Sequence, residues 1–458
     1  MKSLKLASLA AFLIALISTS PRALAANSFP SDHIVVMISV DGLAAHYFDD
    51  PKAEMPNIRA LATAGARAKS MKAVTPTVTW PNHTTLVTGV MPAVHGVVGN
   101  NYYDRTTNKK VTLISDPTYD KVEIVKVPTI YDVAKQAGLK TAAIRWPATR
   151  NAPTLDWTVP DVKLDTLLNK YSTPALQDEC AQAGIKIFNV NAGNERSDEP
   201  YAQTFNLILH QHRPQLALLH LIMVDHIQHY NGPRSPEAYA AIKEADAQVG
   251  EVMAELKKDY PGKATVLIVS DHGFSPLNHM ILPNVILRQA GLEKQKGDKG
   301  TSSAVEVVSQ AGSALLYVRD GIDRAAILDK VTKTFRKITG VASILDTAHF
   351  KDFGVADPKT DPHAPDLILF AQEGYAFGDT AAGELPFNDK PERKGSHGHN
   401  PALPDLHATF VAWGVGIKAG VKLGEIQNTS VAPTLAKLLH LSLPASVTAA
   451  PLSTILAE

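Results

Sequence analysis

Five near-continuous apolar runs of strand length punctuate the chain. HIVVMISV runs into Asp41, LALLHLIMV into Asp225 and ATVLIVS into Asp271, while KTAAIRW breaks at Pro147 and HATFVAWG begins at His407. Runs without polar alternation are what strands buried on both faces of a parallel sheet require. Between them the apolar spacing becomes helical. MPNIRALATAGA places Ile58, Leu61 and Ala62 on one face, and TIYDVAKQAGL stops at Gly138. SPEAYAAIKEADAQVGEVMAEL opens with Ser235 as cap and Pro236 at the first helical position. Strands alternating with helices predict an α/β fold with a mostly parallel central sheet flanked by helices. The stretch 278–394 departs from this pattern. It is rich in charged residues, Gly and Pro, with one strand-like run, SALLYVRD, and one helix-like run, IDRAAILDKVTKTFRKI. It reads as an inserted lid-like cap subdomain, leaving 26–277 and 395–458 as the catalytic α/β domain.

The first 25 residues carry a different pattern. Lys2 and Lys5 precede an apolar stretch from Leu6 to Ile17, and Ala23-Leu24-Ala25 offers a small-x-small cleavage site. This predicts a signal peptide over 1–25 and an exported protein, periplasmic or secreted, with no transmembrane segment after cleavage. Cys180 is the only cysteine, so an exported chain would depend on its core and on bound metal, not on disulfides. Lys plus Arg and Asp plus Glu both number 45, so no basic field suggests a nucleic-acid partner. Seventeen histidines point instead toward metal.

In parallel α/β sheets, ligands bind beyond the carboxyl ends of the strands, where Asp41, Asp225 and Asp271 fall. A single Asp after a strand is commonplace as a cap. Here three recur, with His229 four residues beyond Asp225, His272 next to Asp271, and SHGH at Ser396–His399. Carboxylates with imidazoles suit zinc and related divalent ions. No GxSxG elbow, HExxH motif or Walker A loop competes with this reading. TPTVTWPNHTTLVTG, from Thr75 to Gly89, opens a helix with seven Thr or Asn residues. If Thr79 caps the helix beginning at Trp80-Pro81, its hydroxyl faces a helix N-terminus that favours phosphate. A divalent ion could activate that hydroxyl as a nucleophile. Thr75, Thr77 and His83 read as structural.

VDG, TWPNHTTLVTG, HGVVGNN, VDHIQHYNGPRSPE, SDHGF, GSHGHNPALPDLHATFVAWG and NTSVAPTLAKLL occur in that order. Together they resemble the nucleotide pyrophosphatase/phosphodiesterase family of the alkaline phosphatase superfamily, over most of the chain. The resemblance implies an alkaline-phosphatase-like fold and two Zn2+ ions, replaceable by other divalent ions. It implies that Asp41, Thr79, Asp271 and His272 hold one ion, and Asp225, His229 and His397 the other. It further implies Thr79 as nucleophile, forming a phospho-threonine that water then cleaves, and Asn100 as ligand of a non-bridging phosphoryl oxygen. His399 is the alternative to His397, and Asn101 the alternative to Asn100. The implied substrate is a small-molecule phosphate ester or nucleotide.

One segment departs from the family pattern. Where many nucleotide-hydrolysing relatives carry aromatic-Trp-Pro-Gly, this chain has Arg145-Trp146-Pro147-Ala148. Arg145 could pair with a dianionic phosphate, which leaves room for a phosphomonoesterase or phosphonate hydrolase, or it could form a structural ion pair. A non-catalytic periplasmic protein binding metal or phosphate ester is the alternative of a different class. Trp80, Tyr102, Tyr103 and Trp157 are candidate stacking groups for a substrate.

Overall fold

The computed structural model describes residues 32–114, 119–162, 165–188, 197–296, 300–321 and 323–457. The signal-peptide stretch 1–25 lies outside them. A central sheet is built from β1 (Ile34–Val40), β2 (Ala66–Lys72), β3 (Thr141–Ile144), β4 (Trp157–Val159), β5 (Leu216–Leu221), β6 (Ala264–Val269), β7 (Phe410–Gly414) and β8 (Val421–Gln427). Their order is β8-β2-β7-β6-β1-β5-β3-β4. Every pairing is parallel except those of β7, which runs antiparallel to both β6 and β2. The mostly parallel sheet expected from the apolar runs is therefore present, and the His407 run supplies its one reversed strand.

The central strands β1, β5, β6 and β3 are buried on both faces, and their side chains divide by the two-residue period of a strand. Ile34, Val36, Ile38 and Val40 point to one side, with Ile242, Val249, Val252 and Leu256 of a long helix, Pro236–Asp259, and with Phe205 and Ile208. Val35 and Met37 point to the other side, with Leu86, Val87, Ile130, Leu435 and Leu438. Each such side chain withdrawn from water contributes about 1.5–3 kcal/mol before chain entropy is counted.

The element starts follow local chemistry. Ser235 Oγ accepts from Ala238 N at 3.1 Å, capping the long helix as its sequence predicts. The shorter helix Pro56–Ala64 has no cap of its own. Asp246, in the middle of the long helix, supplies one, accepting from Ile58 N at 2.8 Å and Asn57 N at 3.1 Å.

Within 278–394 the structure has a second, antiparallel sheet, in the order 305–309, 313–318, 367–371, 341–346. Val331 and Phe335 of the helix Arg324–Phe335 share a buried cluster with Leu316, Leu367 and Leu369 of this sheet. No helix among the described residues is long and apolar enough to cross a membrane.

Candidate active site

The candidate carboxylates and imidazoles come together at the carboxyl ends of β1, β5 and β6. Asp41 directly follows β1, and Asp271 stands two residues after β6. Asp225 lies in the first turn of the helix Met223–Asn231 that leaves β5, and the four-residue spacing puts His229 on the same face. His397 comes from the opposite direction, on a loop after the short strand Gly395–Ser396.

Two ligand-like groups form, and they share Asp225. In one, His229 Nε2 and His397 Nε2 each lie 3.5 Å from an Asp225 carboxylate oxygen and 3.2 Å from each other. In the other, His272 Nε2 is 3.5 Å from Asp41 Oδ1 and 3.1 Å from Asp271 Oδ2. Ligand atoms of Asp41, Asp225 and His272 lie within 4.8 Å of one another, as do those of Asp225, His229 and His397. His399 is elsewhere, with Nε2 on Tyr375 O at 2.8 Å.

The imidazoles are aimed. Nδ1 of His229, His272 and His397 lies 3.2, 3.1 and 3.2 Å from the carbonyls of Gly395, Gly273 and Thr77. A carbonyl only accepts, so each Nδ1 carries the proton and each Nε2 presents a lone pair to the centre. Asp41 Oδ1, Asp225 Oδ1, Asp271 Oδ2 and His272 Nε2 are all buried without a hydrogen-bond partner. Burial, reinforced by the Asp225 charge, pushes the Asp41 carboxyl well above the usual carboxylate range. Burial and then the Asp41 charge do the same to Asp271, and burial also raises Asp225. Burial drives His229 and His397 down to about 3. Converging acids that resist ionisation, facing imidazoles that resist protonation, suit a divalent cation, because its charge offsets the carboxylates and its coordination uses the lone pairs. The residues therefore fit metal.

The helix Thr79–Thr88 starts two residues after Thr77, whose carbonyl holds Nδ1 of His397. Asn82 Nδ2 donates to Pro76 O and Val78 O at 3.1 and 2.8 Å, and Asn82 Oδ1 accepts from Val74 N and Asn428 Nδ2 at 2.8 and 2.9 Å. One buried amide thus fixes the approach to Thr79 and ties it to the C-terminal part of the chain. His83, read as support, has Nδ1 on Thr79 O at 2.9 Å, with Ser39 Oγ beside Nε2 at 2.9 Å and Asp271 Oδ2 3.6 Å from Nδ1. His95 joins this helix to the next loop, with Nε2 on Thr85 Oγ1 at 3.0 Å and Nδ1 accepting from Val97 N at 3.1 Å. That loop carries Asn100, whose Oδ1 accepts from Trp80 N at 2.9 Å.

Residues 35–400 match the family model for type I phosphodiesterase / nucleotide pyrophosphatase. The chain belongs to this family. It is 26% identical over 420 residues to ectonucleotide pyrophosphatase/phosphodiesterase family member 1 of Homo sapiens, covering 89% of this chain and 40% of that protein. It is 30% identical over 245 residues to a venom phosphodiesterase of Macrovipera lebetinus, covering 53% of this chain and 26% of the venom protein. The chain therefore spans less than half the length of either. Among solved structures, human ectonucleotide pyrophosphatase/phosphodiesterase 5 superposes with a TM-score of 0.67 at 22% identity, over 90% of this chain and 96% of that one. Its murine counterpart, solved as an inactive threonine-to-alanine variant in complex with AMP, gives 0.68 at 19% identity, with the same coverage. These likenesses establish the fold, an α/β sheet of the phosphodiesterase type.

Three expectations change in this family member. Thr79 is not a cap: the helix starts at Thr79 itself, Val78 takes the cap position, and no side chain caps it. The Thr79 hydroxyl makes no hydrogen bond with a described residue, and the residue is 6% exposed, so the hydroxyl stays available to a ligand. Arg145 does not face the site as a free cation. Its Nη1 lies 3.0 Å from Asp198 Oδ1 and its guanidinium 4.1 Å over the Tyr201 ring, so the structural ion pair is what forms. Trp80, Tyr102 and Tyr103 are buried in apolar clusters, and Trp157 stacks on His212 at 4.4 Å, so none of the four is presented as a substrate platform.

Sequence reasoning missed His220 and Asp198. His220 is the cross-strand partner of Ser39, with Nε2 3.0 Å from Asp41 Oδ2 and Nδ1 2.9 Å from Arg145 O. A lone histidine inside the apolar run LALLHL was its signal. Asp198 accepts from Ile222 N and Met223 N at 3.0 and 2.8 Å, at the start of the helix that bears Asp225. Nothing in the local sequence marks it. A third group, His210 with Glu255 and Asp259, could in composition also hold an ion, but it stands on the surface away from this centre.

Proposed function

We propose that this chain is a metal-dependent phosphodiesterase / nucleotide pyrophosphatase that hydrolyses phosphodiester or phosphoanhydride bonds of small phosphate esters or nucleotides. One observation carries the reading: four buried ligand atoms of Asp41, Asp225, Asp271 and His272 have no hydrogen-bond partner, and His83 links Asp271 to the Thr79 backbone, with Nδ1 3.6 Å from Asp271 Oδ2 and 2.9 Å from Thr79 O. Asp225, His229 and His397 would hold one ion, and Asp41, Asp271, His272 and Thr79 the other, with zinc the expected metal. Bound divalent ions would lower the pKa of the Thr79 hydroxyl and neutralise charge on the leaving oxygen.

The chain's own residues set the geometry. Thr79 Oγ1 attacks phosphorus in line, the bond to the leaving oxygen breaks on the far side, and a phospho-threonine results. Water then attacks the same phosphorus and releases Thr79 Oγ1. Asn100 Nδ2 donates to a non-bridging oxygen throughout, and the helix N-terminus favours the anion. The inactivity of a threonine-to-alanine variant of the murine relative agrees with this assignment. The pairing of Arg145 with Asp198 withdraws the cation that would have favoured a dianionic monoester, so the diester is the better substrate. Residues 278–394 would cap the site, and the leader at 1–25 would export the chain.

The test is a metal count by mass spectrometry, together with rates on bis-p-nitrophenyl phosphate, a dinucleotide pyrophosphate and p-nitrophenyl phosphate. Two zinc equivalents with diester or pyrophosphate preference are expected, and Thr79→Ala should lower turnover by at least about 1,000-fold with little metal lost. A folded Thr79→Ala variant that still turns over would sink the nucleophile assignment. Faster monoester hydrolysis would sink the diesterase reading.

A further inference from the structure

Asn100 is held unusually completely. Its backbone O accepts from Leu113 N at 2.9 Å and Ile114 N at 3.1 Å, and its side-chain Oδ1 accepts from Trp80 N at 2.9 Å. Its backbone N donates to Gln310 Oε1 at 2.9 Å. Only Nδ2 is left without a partner among the described residues. The same Gln310 amide donates from Nε2 to Asn101 O at 2.7 Å. One buried side chain, 3% exposed, therefore grips the backbone on both sides of the Asn100 Cα.

Gln310 belongs to the turn 310–312, which joins the strands Val305–Ser309 and Ser313–Val318 of the antiparallel sheet. The turn also touches the opposite wall of the site. Gly312 N donates to His397 O at 2.7 Å. At Gly398 (φ +89°) an added Cβ would stand 1.9 Å from Gln310 O, so only glycine lets the His397 loop approach the turn so closely. The turn thus lies between the loop of Asn100 and the loop of His397, 210 residues in sequence from the first.

We propose that Gln310 is a positioning residue of the reaction, acting through Asn100: it fixes the backbone from which Nδ2 is aimed at the phosphoryl oxygen. This rests on the reading of Asn100 as a phosphoryl ligand. A hydrogen-bond donor aimed before the substrate arrives needs no reorganisation as charge develops, and displacement by a fraction of an ångström lowers the rate without emptying the site.

The test is a double-mutant cycle. Gln310→Met keeps the side-chain length and removes both hydrogen bonds, while Gln310→Glu keeps only the acceptor for Asn100 N and serves if the Met variant does not fold. In the unaltered background, Gln310→Met should lower kcat on a diester by about 10- to 100-fold with metal content and KM little changed, and weaken inorganic phosphate binding measured by calorimetry by about 10-fold. In an Asn100→Ala background, the same substitution should lower kcat by less than about twofold, because its route of action is already gone. Losses that multiply in full would overturn the proposal, as would a folded Gln310→Met protein with normal kcat. If the unaltered chain shows no diesterase activity, the functional reading has failed on its own, and the effect of Gln310→Met on phosphate affinity still decides the positioning role: unchanged affinity overturns it.

Discussion

Two groups in this molecule each bring together three side chains of metal-binding type, Asp225–His229–His397 and His210–Glu255–Asp259, and they are built in opposite ways. In the first, both imidazoles are oriented by backbone carbonyls at Nδ1, and Asp225 Oδ1 has no partner. In the second, the ligand atoms are already engaged. His210 Nδ1 sits 2.7 Å from Asp259 Oδ2, Glu255 Oε1 is 3.0 Å from Lys258 Nζ, and the His210 side chain is 55% exposed. Water and the lysine compete at the surface group, and an exposed pair of this kind contributes about 0–1 kcal/mol. The proposed metal site thus differs from the surface cluster in its unpaired acceptors and in the carbonyls that aim its imidazoles, not in composition.

The comparison breaks most readily by removing imidazoles. His229→Ala and His397→Ala should each lose one metal equivalent and lower turnover by at least about 100-fold, while His210→Ala should leave both within about twofold. Metal content by mass spectrometry decides it: an equal loss from His210→Ala, or none from His229→Ala, would contradict the contrast.

A smaller effect separates histidines that hold structure from those that face the centre. Burial lowers His95 from 6.5 to about 3, and Nδ1 already accepts from Val97 N, so protonation would set two donors against each other. Below pH 6.5 the unfolded chain takes up a proton that the fold refuses. His95 therefore contributes its full stability above that pH and loses it progressively as pH falls toward 3. In chelator-treated protein the site imidazoles act in the same direction, whereas the raised carboxyls of Asp41, Asp225 and Asp271 gain stability as pH falls, so His95 is read from a difference: the Tm of His95→Gln relative to the unaltered chain should rise from pH 7 to pH 5. A difference between the two proteins that does not change with pH would show that His95 carries none of the dependence. Smallest is Ala148→Gly. Ala148 has φ +56° and a buried methyl beside Trp80. Relief of a left-handed alanine is worth about 1–2 kcal/mol, and the lost methyl costs about 0.8 kcal/mol. A net gain of about 0.5 kcal/mol in urea unfolding is expected, with metal content unchanged; a net loss would mean that packing dominates.

Much of the fold was legible because strands buried on both faces leave unbroken apolar runs, and because Ser235-Pro236 and Gly138 mark helix ends. Asp41, Asp225, Asp271, His229 and His272 were legible because each follows a strand or stands a short, fixed spacing beyond an Asp that does, whereas His397 was implied only by the family resemblance. The supporting layer was not. Asp198, Gln310 and Asn428 act on residues 24, 210 and 346 positions away, respectively. Chain distances of that size are set by topology and leave no local pattern. Arg145 stayed open between a phosphate and an ion pair for the same reason, since its partner Asp198 stands 53 residues away. Thr79 was displaced by one position because a cap and a first helical residue differ only in backbone angles, and neighbouring Thr residues look alike in sequence.

The link between Asn82 and Asn428 has a consequence for biosynthesis. The approach to Thr79 is tied down by an amide that is synthesised 346 residues later. The candidate ligands themselves are spread from Asp41 to His397, so a chain still emerging from the ribosome has all the early ligands and no pocket to gather them. Under the proposed function, ion capture would follow the docking of the segment that carries Asn428. The occupant would then be set by the free ion concentrations of the compartment in which that segment docks.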